Sequence, residues 1–297
     1  MQQGVNAIVL GSCYCLFAVG LSMTWGTLNV LNLAHGAVFM FSAFTCYLLT
    51  QKLGADIPLV GLVFIAMAVG AVMELALDLF AFRPIRKRAK TVQEAELSML
   101  IASIGAAAIP VTIAQEVTLG SPFSITGQAI TTTQFHIGST YISAIEIAIV
   151  AVAVVLMVCL AVWIQQSRPG RGLRALAVDR ETSGLMGISE GRLSALALVV
   201  SGITAGAAGV FLAVFLDSLT ASSGQDLLLK AFAAVVLGGV GSIWGTMVGA
   251  YVLAGAETLV TATTSGTWTN AVSFALIIVV LLIMPNGLFS RRKVDRA

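Results

Sequence analysis

Three polar side chains, Asn29, Asn32 and His35, stand close together in an otherwise apolar stretch, and Gly36 follows them. Amides and imidazoles both donate and accept hydrogen bonds, so such a group could hold a small polar solute in passing. Positions 28, 32, 35 and 36 can share one helical face. Two readings stand. The cluster lines a solute pathway, or it bonds to neighbouring helices or caps a break, because an unpaired polar group in hydrocarbon is costly. Glu74 and Asp78, spaced i and i+4, shortly precede Arg83 and Arg86. Ion pairing or snorkelling near a membrane boundary accounts for them, since proton coupling would need them deeper. Glu257 stands alone and is left unassigned.

Catalytic chemistry finds no foothold. The two histidines, His35 and His136, lie on different segments, and no HExxH, GxSxG or carboxylate pair stands in a plausible pocket. The glycines at 238, 239 and 241 lack the Lys that a phosphate loop requires. Cys13, Cys15, Cys46 and Cys159 lie in apolar runs without a CxxC spacing, and they read as small buried hydrophobes. We therefore expect no catalytic residue, no metal and no cofactor in this chain. Any energy from ATP must come from a separate subunit.

The elements that carry these residues are membrane spans. The chain has 297 residues, 58% hydrophobic and 10% charged, against about 25% charged in a typical soluble domain. No Asp, Glu, Lys or Arg occurs in residues 1–51, and further uncharged runs fill 57–73, 97–115, 147–167, 193–216, 231–256 and 258–290. A spanning helix needs about 20 apolar residues. The pattern predicts an all-α, polytopic transmembrane helix bundle of about 8–9 spans with one short or broken helix. The spans fall near 5–25, 28–50, 57–82, 97–118, 141–165, 193–217, 229–241, 244–263 and 267–284, in one domain covering 1–297. The first two are expected to part at Trp25-Gly26-Thr27. The seventh is too short to cross alone and should meet the eighth at the glycine-rich turn 238–242. With no basic n-region or cleavage signal, the first run reads as a retained span.

Charge sets the orientation. Of the 16 Lys and Arg, five fall in 83–90, five in 168–192 and four in 291–296. The positive-inside rule places all three clusters in the cytoplasm, with the N-terminus outside and the C-terminus inside. Cations at span ends, on a net charge of only +2, point to membrane lipid and not to nucleic acid. The spacings Gly202/Gly206 and Gly241/Gly245/Gly249 suit close helix packing, within the subunit or against a second one. The inner loop 166–192 mixes Arg171, Arg174, Asp179, Arg180 and Glu181 with Leu173, Leu176, Leu185, Met186 and Ile188. One or two short amphipathic helices fit that mixture. So long and partly apolar a loop should dock on something.

Several segments carry a family resemblance. Leu31-Asn32-Leu33-Ala34-His35-Gly36 resembles the N-F-A-H-G signature of the LivH-type permeases of branched-chain amino acid ABC importers. Arg83-Pro84-Ile85-Arg86 resembles the segment after their third span. The loop from Ser167 to Ile188 is similar to their S-R-x-G-R-x-x-R-A-x-A-x-D…L-x-G-I pattern. Lys230-Ala231-Phe232, leading into Leu237–Ile243 and Gly245, is similar to K-A-F…L-G-G-I-G-S-I-x-G. Pro285-Asn286-Gly287-Leu288-Phe289 resembles the terminal P-x-G-L-F. Leu33 in place of Phe and Trp244 in place of Pro depart from the pattern.

The resemblance implies a transport subunit of the bacterial inner membrane, without an ATPase site of its own. A LivM-like second permease, two cytoplasmic ATPase subunits that use the ATP, and an extracytoplasmic solute-binding protein would complete the importer. The solute class includes branched-chain amino acids, urea, amides and aromatic acids. Asn29, Asn32, His35 and Gly36 become pathway candidates. Arg171, Arg174, Asp179, Leu185, Gly187 and Ile188 become the coupling element that seats on an ATPase. A secondary transporter would favour inverted repeats and a midplane ionisable group, and a membrane enzyme would need a catalytic set. Neither is apparent.

Overall fold

The computed structural model describes residues 2–52, 57–125, 134–137, 140–263 and single positions between 271 and 282. Uncharged runs rich in Leu, Val and Ala become helices. They are α1 (Gln2–Leu28), α2 (His35–Tyr47), α3 (Leu59–Leu77), α4 (Arg83–Arg88), α5 (Val92–Thr118), α6 (Ala144–Gln166), α7 (Arg168–Val178), α8 (Arg180–Leu185), α9 (Glu190–Leu216), α10 (Ser223–Gly238) and α11 (Ile243–Thr263). Single π-helical turns, Leu48–Lys52 and Asp78–Phe82, extend α2 and join α3 to α4. Local chemistry marks the helix starts. The Thr91 hydroxyl accepts from the Glu94 amide ahead of α5, and Ser143 with Glu146 forms a capping box ahead of α6.

Among the described residues, six helical stretches are long and apolar enough to cross a bilayer: Gln2–Leu28, Leu59–Arg88, Val92–Thr118, Ala144–Gln166, Glu190–Leu216 and Ile243–Thr263. The protein is an all-helical integral membrane bundle apart from one small hairpin. α1 and α9 form its centre, and α9 packs against α1, α2 and α3 while α1 also meets α11 and α6. The outer helices α3, α5 and α6 turn Phe64, Val72, Ile101, Ile109, Val155 and Val158 outward, an apolar surface of the kind lipid requires.

Close helix approach rests on missing Cβ atoms. A Cβ added to Gly202 would stand 2.2 Å from the Gly70 carbonyl oxygen, and one on Gly206 would stand 2.1 Å from that of Ala66. Gly245 and Gly249 meet Gly238 and Ala234 of α10 in the same way. The small-residue spacing thus serves packing inside this subunit.

Four expectations need correction. α1 continues through Trp25-Gly26-Thr27 and breaks at 29–34 instead. Gly26 is there for proximity, because its added Cβ would lie 3.0 Å from Gly241 Cα. The short helix starts at Ser223, not at 229, and its 16 residues reach about 24 Å against a core of about 30 Å. Against the all-α expectation, the segment ahead of α6 holds an antiparallel hairpin, β1 (Gln134–Ile137) with β2 (Thr140–Ser143). Cys159 is exposed on α6, whereas Cys13, Cys15 and Cys46 are buried. The expected last span, 267–284, and the segment 285–289 lie outside the described residues, save for isolated helical positions.

Gly202→Leu should lower the thermal unfolding temperature of the detergent-purified chain. The new side chain strikes backbone, so the cost belongs at the upper end of the roughly 1–3 kcal/mol usual for overpacking. An unchanged Tm would show that α3 and α9 separate freely.

Candidate functional site

Between α1 and α2 the chain runs irregularly from residue 29 to 34 and then re-enters the bundle as a helix. Asn29 ends α1 in the left-handed region, at φ 56°, which Asn tolerates better than most residues. Its amide hydrogen bonds back to the Trp25 carbonyl at 2.8 Å. Its side chain is exposed and donates to Glu96 Oε1 at 2.9 Å. Irregular backbone at membrane depth survives only where protein or a water-filled cavity satisfies it. Here protein does so. Leu33 N–H donates to Ser103 Oγ, Ala34 N–H to Asn32 Oδ1, and His35 N–H to the Asn32 carbonyl.

The side chains of Asn32 and His35 tie this segment to α3, α9 and α1. Asn32 Nδ2 donates to both Glu74 carboxyl oxygens, at 3.0 and 2.9 Å. His35 Nε2 lies 3.2 Å from the Phe17 carbonyl oxygen, which can only accept, so Nε2 carries a hydrogen. His35 Nδ1 stands 3.2 Å from Glu74 Oε1 and 3.1 Å from Ser201 Oγ. Nδ1 thus faces both the Glu74 carboxyl and the Ser201 hydroxyl, which can donate or accept. The ring also stacks on Phe17 at 4.4 Å.

Asn32, His35, Glu74 and Ser201 are all fully buried. Gly36 follows within the same close packing, where an added Cβ would stand 2.3 Å from the Gly224 carbonyl oxygen at the start of α10. Two short helices, α2 and α10, thus meet at their first turns. The structure brings Asn32, His35 and Gly36 together and sets Asn29 apart, exposed at the end of α1. Asn32 is not on a helix, so the helical face expected for 28, 32, 35 and 36 does not form.

Glu74 and Asp78 part company. Asp78 pairs with Arg83 and Arg86, as expected near a boundary. Glu74 instead supplies the acid of the polar knot. Nothing local could have revealed that, because its partners lie 42 and 39 residues away. Glu257 also finds a role. Tyr14 donates its hydroxyl hydrogen to Glu257 Oε2 at 2.8 Å, and Lys230 Nζ donates to Tyr14 Oη at 3.0 Å and to Glu257 Oε2 at 3.1 Å.

The loop 166–192, expected to form one or two short amphipathic helices, forms α7, which is amphipathic, and the six-residue α8, whose one apolar side chain faces outward. Leu173 is buried beside Met23, Ile164 and Ala197, which seats α7 under α1, α6 and α9. Arg171 and Arg174 donate to the carbonyls of Gln166 and Gln165, pinning α7 to the end of α6. Asp179 caps α8 by accepting from the Thr182 amide at 3.1 Å. Gly187, at φ 78°, lets the chain turn so that Ile188 N–H reaches the Ser183 carbonyl, a left-handed helix end suited to glycine. Leu185 and Met186 project outward, 85% and 79% exposed. Among the described residues no group of three His, Cys, Asp or Glu is placed to hold a metal ion.

Comparison with known proteins agrees with this architecture. The family described as "Branched-chain amino acid transport system / permease component" matches residues 4–281. The chain is 34% identical, over all of its length and 97% of the relative's, to the high-affinity branched-chain amino acid transport system permease protein LivH of Salmonella typhimurium. It is 30% identical, at the same coverage, to the corresponding protein BraD of Pseudomonas aeruginosa. A chain of PsaBC from Streptococcus pneumoniae, solved with a Fab, superposes with a TM-score of 0.53 at 11% identity, over 96% of this chain and 93% of that one. That likeness concerns the fold alone.

Glu74→Leu should lower the unfolding temperature more than Glu74→Gln. Leucine strands the Asn32 amide, at about 1–3 kcal/mol for an unsatisfied buried group, and leaves His35 Nδ1 with Ser201 alone, whereas Gln still offers an acceptor. Equal losses for both variants would show that the hydrogen bonds do not matter there.

Proposed function

We propose, for a chain that belongs to the branched-chain amino acid transport-system permease family, the role of one membrane half of an ABC importer for a branched-chain or related amino acid. Family membership over nearly the whole chain carries this reading. A LivM-like second permease stands beside it, an extracytoplasmic binding protein delivers the solute, and two cytoplasmic ATPase subunits bind and split ATP. The chain itself hydrolyses nothing.

In this reading nine spans cross the inner membrane, with α2 and α10 as the short ones and the run 267–284 as the last. The N-terminus lies outside and the C-terminus inside, so that α4, α7 and α8 face the cytoplasm. The helix pair α7–α8 is the coupling element. Its support is a rigid base of buried Leu173 and Leu176 beneath a tip that exposes Leu185 and Met186. Asn29, Asn32, His35 and Gly36 border the solute path, and the polar knot is the fixed point about which the helices change their exposure.

Solute-stimulated ATP hydrolysis tests the function. The chain is reconstituted in lipid with its second permease, ATPases and binding protein, then offered amino acids, urea and aromatic acids. Stimulation by branched-chain amino acids is expected; uptake by this chain alone, driven by an ion gradient, would overturn the assignment. The double substitution L185D/M186D should leave the permease folded but lose ATPase co-purification, because both side chains are exposed. Retained ATPases would remove α8 from the coupling role.

A further inference from the structure

The first turn of α10 lies inside the bundle. Gly224 packs on Gly36, directly after buried His35, and Asp226 is two residues further on. The Asp226 side chain is exposed and makes no hydrogen bond or ion pair among the described residues. One helical turn later stands Lys230, at the i+4 position and hence on the same side of the helix. Its ammonium is only 17% exposed and is held by Glu257 and Tyr14. An ammonium has three hydrogens, and these two partners take two. Leu229, half exposed, lies between the charged pair and Phe232, on which Trp25 stacks at 5.4 Å.

A lipid-facing helix has no use for this pattern. Ionisable groups inside a membrane protein face the bundle interior, a water-filled cavity or a partner, and the outward faces of α3, α5 and α6 are apolar by contrast. An α-amino acid presents a carboxylate, an ammonium and an apolar side chain on one carbon. Lys230, Asp226 and the Leu229–Phe232–Trp25 surface offer the complement of each.

We propose that the exposed face of α10 receives the zwitterionic head of the transported amino acid, Lys230 taking its carboxylate and Asp226 its ammonium. The second permease closes the site from the other side. The Glu257–Tyr14 pair positions Lys230 and keeps its charge compensated when no solute is bound. This rests on the amino acid reading given above.

The test uses the complete transporter in proteoliposomes with loaded binding protein and radiolabelled L-leucine. Three variants are compared: Asp226→Asn, Asp226→Glu, and Lys230→Gln with Glu257→Gln, whose paired amides keep a partner for Tyr14. Asp226→Asn and the double variant should cut uptake by about tenfold or more, the loss of one charge-assisted hydrogen bond, while the subunits still elute together. Asp226→Glu should recover a large part of the rate. Wild-type uptake by the Asp226→Asn complex would overturn the site. So would release of the second permease on size exclusion, which would make Asp226 an inter-subunit ion-pair partner instead. A wild-type complex that ignores amino acids and imports an uncharged solute would overturn the underlying amino acid reading, independently of either variant.

Discussion

Hydrocarbon offers no hydrogen bonds, so every backbone amide and carbonyl within a bilayer must be satisfied by the protein itself. A continuous helix meets that demand without help. The chain between α1 and α2 does not, because six residues leave helical geometry before α2 begins. The packing around them follows from this need. Ser103 of α5 meets one amide, the Asn32 side chain meets another, and the acid that anchors Asn32 comes from α3. His35 then reaches α1 through a carbonyl and α9 through Ser201. Four helices are joined to one short stretch of irregular chain, and α1 and α9, which it joins, are the most enclosed helices in the protein.

Charge obeys the same constraint. Glu74, Asp78 and Glu257 are all buried, and each meets a basic side chain. Glu74 has His35, Asp78 has two arginines, and Glu257 has Lys230. Removing one member of such a buried pair strands the other, which is the expensive outcome. The pairs also differ in reach. Asp78 is satisfied within eight residues of its own chain, so it fixes the turn between α3 and α4. Glu74 and Glu257 join segments separated by 39 and 243 residues, so they fix the bundle. Local pairs shape an element, and distant ones decide which elements stay together.

This difference explains what the sequence made legible. Membrane spans, the amphipathic character of α7, and the Asp78 ion pair arise from runs and spacings along the chain, and all could be read there. Asn32, His35 and Gly36 stood out as polar or small residues in an apolar run. Their partner Glu74 was placed instead with Asp78 by its i, i+4 spacing, because tertiary pairing leaves no periodic trace. Gly26 misled in a related way. Glycine permits a turn and permits close approach, and only the presence of Gly241 opposite it decides between the two. The Tyr14–Glu257–Lys230 set was invisible for the same reason, although a lone acid in an apolar run was a sign that some cation had to be near.

Coupling across a membrane asks for a path along which force is not absorbed. A flexible loop would take up any push in its own dihedral angles. The inner loop here is built otherwise. Two arginines fasten α7 to the end of α6, Leu173 and Leu176 sink into the inner ends of the core helices, and Asp179 both ends α7 and starts α8. Behind the exposed Leu185 and Met186, Leu173 lies against Met23 of α1 and Ala197 of α9, so the α7–α8 pair has a packed base and not a slack tether. Those helices carry the Phe17 carbonyl and Ser201, the two contacts that, with Glu74, fix the His35 ring. Packed side chains and rigid helices of this kind are what physical coupling requires. The α7–α8 pair and the polar knot are accordingly joined by packed contacts through α1 and α9, the two spans with the least free surface.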